Sequence, residues 1–119
     1  SLDIRNFYPI LCFYVTSMPH NYKKMPPLWH LEELFKLSDK YPTGLAWAIN
    51  KGKYKIGDSV GTKNKTNGYY FVSIDNESYM VHRIVYYLRT AYSPDNCCIK
   101  HNHLNKTKDN RLELKPIRY

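Results

Sequence analysis

Apolar positions along the chain fall into two helical stripes and a set of short strand-like runs. In "PLWHLEELFKLSDKY", Leu31, Leu34 and Phe35 recur at i, i+3 and i+4 behind Pro27, a residue suited to a helix start. That spacing predicts a short amphipathic helix with one face on a core. In "VHRIVYYLRTAY", Val81, Ile84, Val85 and Leu88 recur at i, i+3, i+4 and i+7, which predicts a second helix. His82, Tyr86 and Arg89 share another of its faces. Between the helices the texture is strand and turn. "LAWAI" (Leu45 to Ile49) reads as a strand, and "GYYFVSI" and "SYMV" flank the turn "DNE" as a hairpin. "CCI" reads as a short strand after the helix-breaking "SPDN". Near the start, Ile10 to Thr16 is rich in strand formers and reads as a buried strand.

These elements predict an α+β fold. Residues 1–43 form an N-terminal strand-and-helix lobe and residues 44–119 a basic, strand-rich lobe, the two making one compact unit. A length of 119 residues suits a single modest core. The longest apolar run, Tyr8 to Val15, is far below the roughly 18 to 20 residues of a membrane span. It also lacks the pattern of a signal peptide. Three cysteines, Cys12, Cys97 and Cys98, make no even disulfide framework. The expectation is a reduced, cytoplasmic protein with no membrane partner.

Charge changes the picture. A net charge of +8 with 12 tyrosines points to a polyanionic partner, with rings available for stacking on bases. Two segments carry most of the basic character. Lys51, Lys53, Lys55, Lys63 and Lys65 face a single acid, Asp58; further on, Lys100, Lys106, Lys108, Arg111, Lys115 and Arg118 face Asp109 and Glu113. Nucleic acid, double-stranded DNA first, is the expected partner, bound through its phosphates.

The densest chemistry lies in "NCCIKHNHLNKTKDNR", Asn96 to Arg111. As a zinc site it is poor. Adjacent cysteines in a strand point to opposite faces, so only one of Cys97 and Cys98 can join His101 and His103. Cys12, His20 and His30 form no ligand-like pair. A structural zinc is not expected.

From Gly68 onward the chain resembles the HNH endonucleases of the phage and intron homing type. The resemblance is carried by "GYYFVSIDNESYMVHRIVYYL", then "SPDN", then "IKHNHLNKTKDNRLELKP", over roughly residues 44 to 117. It implies a ββα-metal (His-Me) finger fold and DNA hydrolysis in a phage or mobile-element setting. By residue, it implies that His101 is the general base and that Asn110 orients it or ties its loop. His82 and Arg83 match the family's His-Arg, Lys106 and Thr107 its Lys-Thr, and Asn110 with Arg111 its Asn-Arg.

The chain departs from the family at three places. Lys100 stands where the family has a metal-binding aspartate, the asparagine of "Glu-Asn-Leu" is missing at Glu113–Leu114, and Tyr119 falls before the family's closing helix. A divalent metal (Mg or Mn) would then rest on His103 with Asn110, and Lys100 with Arg111 would hold the phosphate. His82, Arg83, Arg89, Lys106, Lys108, Lys115 and the Lys51–Lys65 segment are the expected nucleic-acid contacts. Two outcomes stay open: an endonuclease that nicks or cleaves, or an inactive derivative serving as a binding or interaction protein. A homodimer or a partner chain completing the site belongs to either.

Overall fold

The computed structural model describes residues 24–118. The strand expected at Ile10 to Thr16, Cys12 and His20 lie outside them. The described elements run α1 (Leu28–Leu34), β1 (Phe35–Leu37), β2 (Leu45–Trp47), β3 (Thr62–Lys63), β4 (Tyr70–Ile74), β5 (Glu77–Met80), α2 (Val81–Thr90), β6 (Cys97–His101) and β7 (Leu114–Arg118). They make two antiparallel strand pairs and one three-stranded antiparallel sheet around α2, an α+β architecture. No helix among the described residues is long and apolar enough to cross a membrane.

The first helix is shorter than its apolar spacing predicts. Pro27 sits at the N-cap, with its carbonyl taking the His30 and Leu31 amides at 3.0 and 3.2 Å. Leu31 and Leu34 face the core as expected. Phe35, however, turns extended (φ −131°, ψ 159°) and opens β1. There it pairs with Trp47 across the strands, their rings 4.9 Å apart. A seven-residue helix has little stability of its own, and the aromatic cross-strand pair outweighs one further helical turn.

The predicted hairpin forms as β4 and β5, in the register Phe71↔Met80 to Ile74↔Glu77. Its turn is Asp75–Asn76, both at positive φ (52° and 68°), as a two-residue primed turn requires. β3 adds to the free edge of β4 through Thr62↔Phe71 and Lys63↔Tyr70.

Helix α2 is the hub. Its first six residues, Val81 to Tyr86, are buried, and it packs on α1, β1, β4, β5 and β6. It ends where Ala91 enters the left-handed region (φ 65°), donating its amide to the Tyr87 carbonyl at 2.8 Å. Arg89 in the last turn complements the helix dipole. The buried cluster runs without a break from Leu31, Leu34 and Phe35 through Leu45 and Val60 to Ile84, Val85, Ile99 and Leu114. β6 and β7 form the last hairpin, Cys97↔Arg118 through His101↔Leu114, with residues 102–113 as its loop.

Gly44 marks the tightest approach between this loop and the rest. A Cβ there would lie 3.1 Å from the Asn110 Cβ and 3.2 Å from both the Asn110 carbonyl oxygen and Val85 Cγ2, at φ +81°. Gly52 has a similar positive φ (59°) but open space around it. Gly44→Ala is therefore expected to cost about 1–2 kcal/mol more than Gly52→Ala, the excess being the contact rather than the backbone strain. Urea unfolding of both variants measures that difference; equal losses would show that the close approach carries no energy.

Candidate functional site

Three rings meet beneath the last hairpin. β6 delivers His101 as its final residue, the first turn of α2 delivers His82, and Tyr69 leads into β4. The ring centroids lie 5.1 Å apart for His82–His101, 5.1 Å for Tyr69–His82 and 5.7 Å for Tyr69–His101. Lys108 adds a cation, its Nζ 4.9 Å from the Tyr69 centroid.

Asn110 fixes the chemistry of His101. Its side chain is 1% exposed. Its Nδ2 donates to the Thr43 carbonyl at 3.0 Å, which leaves Oδ1 as the acceptor facing His101 Nε2 at 2.6 Å. His101 must therefore carry its proton on Nε2, and the Nδ1 of the neutral ring holds a lone pair. That Nδ1 is buried with no hydrogen-bond partner within the chain. Burial lowers the His101 pKa below the ordinary imidazole value. The Asn110 bond pulls the other way, the charge of Lys108 lowers it, and that of Asp109 raises it. The net result is a neutral base at pH 7, with its tautomer set by a neighbour.

His82 is drier still. Burial first, then the nearby His101 and Arg83, push its pKa down to about 3, against an opposing hydrogen bond to the Ile99 backbone. Its Nδ1 is likewise buried and unpartnered.

The Asn-rich loop is held by its own side chains. Asn102 Oδ1 accepts the Leu104 amide at 2.9 Å, and Asn105 bonds both the amide and the carbonyl of Asp109 at 2.9 and 2.8 Å. Asp109 takes the Arg111 amide at 3.0 Å and grips its guanidinium, with Nη2 at 2.6 Å. Short polar side chains that bond nearby backbone are what a twelve-residue excursion without regular structure needs.

Comparison of the chain with known protein families, with curated proteins and with solved structures found no match.

Of the residues expected at the site, His101, Asn110, His82 and Lys108 come together. Tyr69, Thr43 and Pro42 join them, although sequence reasoning did not single them out. Tyr69 lay in plain view in the "GYYF" strand; nothing local in the sequence ties Pro42 and Thr43 to residue 110. His82 was expected as a nucleic-acid contact but is only 6% exposed and stacked inside the ring cluster. Arg83 departs further. It is 4% exposed, and its guanidinium donates to the Cys97 and Pro94 carbonyls at 3.0 and 2.6 Å, bracing β6 from within. Arg89 reaches over the loop to the Asn110 and Leu112 carbonyls at 2.9 and 3.2 Å. Arg111 bonds Asp109 and, through Nη1, the Asp39 carbonyl at 3.1 Å.

Lys100 precedes His101 in β6, so the pleat sends the two side chains to opposite faces, and Lys100 pairs across the strands with exposed Lys115. The cation beside His101 is Lys108 instead. Lys51, Lys53, Lys63, Lys65 and Lys106 are exposed. His103 is exposed in the loop, and among the described residues no three His, Cys, Asp or Glu gather to hold a metal ion.

Burial of neutral His82 has a thermodynamic signature. Its folded pKa, about 3, lies below its unfolded value near 6.5, so the unfolded chain takes up the proton first. Stability is then full above about pH 6.5 and falls as pH drops toward the folded value, with a slope of up to ~1.4 kcal/mol per pH unit. His101 acts in the same direction. Urea unfolding from pH 7.5 down to 4.5 is expected to show that decline, with a much shallower one in His82→Phe. Flat stability in the wild type over this range would rule out a neutral buried His82.

Proposed function

We propose that the chain is a nucleic-acid-binding relative of the HNH endonucleases, built on their finger, in which His101 is the general base of phosphodiester hydrolysis. The observation that carries this reading is the His101–Asn110 bond, which leaves a neutral imidazole with its lone pair on Nδ1. A general base needs a pKa below or near the working pH and a fixed orientation; burial provides the first and Asn110 the second.

In the proposed reaction, Nδ1 takes a proton from a water molecule as the water oxygen bonds to phosphorus. The bond from phosphorus to the departing sugar oxygen breaks, and that oxygen takes a proton from solvent. The new imidazolium keeps its Nε2–H on Asn110 Oδ1, a bond that strengthens as the ring gains charge. Lys108 stands near enough to influence His101 electrostatically and is the cation best placed to balance the phosphate. Nδ1 is covered in the free chain, so catalysis requires the rings packed around it to shift when substrate enters. Lys106 and the Lys51–Lys65 segment serve the backbone on either side, while Lys115, across from Lys100, lies on the face away from His101.

A binding module without turnover is the second reading. It is favoured by Lys100 in the place of a carboxylate and by Arg111 being held by Asp109.

Supercoiled plasmid at low salt, with magnesium, manganese or EDTA, separates the two readings. Nicking by the wild type is expected to fall by about 10²- to 10⁴-fold in His101→Ala. A gel shift without nicking under every condition would leave the binding module standing. No shift and no nicking would remove both. Where binding occurs, its affinity should fall steeply between about 50 and 200 mM salt.

A further inference from the structure

Away from the histidines, a pocket of about 340 Å³ opens between the Lys51–Tyr54 turn and the β3–β4 edge, lined chiefly by Trp47, Tyr54, Phe71, Val72, Lys51 and Lys53. That volume lies at the lower end of ligand pockets, which span about 300–1,000 Å³; it suits one flat ring system rather than an extended chain.

Two features of the pocket describe the occupant. Its walls are aromatic and apolar: Tyr54, Phe71 and Val72 line it, and Tyr54 is backed by buried Trp47, the two rings stacked at 5.1 Å and 18°. Its rim is cationic and free of acids. Lys51 and Lys53 are exposed on a turn closed by two 2.9 Å bonds between Lys51 and Tyr54, and Lys53 Nζ lies 5.4 Å from the Tyr54 ring. A flat ring to stack on Tyr54, with an anion attached for the lysines, has the chemistry of a nucleotide. We infer that this pocket takes the base of a single unpaired nucleotide, with Lys51 and Lys53 on its phosphate.

The inference rests on the nucleic-acid reading above and deepens it: the preferred substrate is a duplex with an extrahelical nucleotide, not a uniform one. β4 links the pocket to the ring cluster, with Tyr69 leading into the strand at the rings and Phe71 to Ser73 lining the pocket. The base supplies stacking area that a paired duplex cannot offer.

Trp47 and Trp29 are the two tryptophans, and Trp29 is 63% exposed. In a Trp29→Phe background, indole fluorescence therefore reports Trp47 alone. The protein is titrated at low salt with a short duplex carrying a single-nucleotide bulge and with the fully paired duplex. Roughly tenfold tighter binding of the bulged duplex, accompanied by a change in Trp47 emission, is expected from the stacking of one base. Tyr54→Ala should erase that preference and leave affinity for the paired duplex unchanged. If Tyr54→Ala does not fold, Tyr54→Leu keeps the apolar body and removes the stack. Equal affinity for both duplexes with unchanged Trp47 emission overturns the pocket while the nucleic-acid reading survives. Failure to bind either duplex overturns the pocket's assignment together with that reading.

Discussion

The site depends on one buried amide. Asn110 donates its backbone amide to the Pro42 carbonyl at 2.8 Å and its side-chain Nδ2 to Thr43, accepts Arg89 on its carbonyl, and accepts His101 on Oδ1. The four polar atoms of the residue thus tie three pieces of chain together: the turn before β2, the end of α2 and the end of β6. A side chain excluded from water keeps its place only if all of these bonds persist together. The same network fixes the tautomer of His101, so fold and chemistry are not separable here. Gly44 is the steric condition for it, since any side chain there would push Asn110 away.

The arginines and lysines divide the positive charge between structure and surface. Arg83, Arg89 and Arg111 each spend the planar fork on backbone carbonyls or on Asp109. Such forks suit fixed acceptors and are weakly hydrated, so they can be drawn inside. Most of the lysines lie exposed, on the Lys51–Lys65 segment and around the loop. Compact, hydrated, mobile charges of that kind contact phosphates with little dependence on base identity. Under the proposed nucleic-acid reading, sequence selectivity would have to come from elsewhere than the lysines.

Local pattern made much of the fold legible. The period of Val81, Ile84, Val85 and Leu88 marked α2, and Asp75–Asn76 between two alternating runs marked the β4–β5 hairpin. What the sequence hid was set by distant partners. Phe35 continues a helical stripe, yet Trp47 draws it into a strand. Arg83 reads as an exposed cation, yet the carbonyls of Pro94 and Cys97 hold it inside. At the site, His101 and Asn110 were visible because they lie close together in the chain. Pro42 and Thr43 were not, because contacts across some 67 positions leave no periodic trace.

Asp109 and Arg111 show how this loop keeps a base neutral without excluding charge. Asp109 is the carboxylate that pulls the His101 pKa upward. Its pull is the smallest of the influences on His101, which stays below its ordinary value, but left unanswered its charge would repel a phosphate. Arg111 grips it through Nε and Nη2 and holds its carboxyl below the usual range, so the negative charge is answered on the spot. Lys108, on the other flank, lowers the His101 pKa. The Asp-Asn-Arg run thereby does three jobs in consecutive residues: a balanced charge, a tautomer and a lock on the loop. Arg111, expected to hold phosphate directly, instead bonds Asp109 and the Asp39 carbonyl, and so secures the loop that carries Asn110.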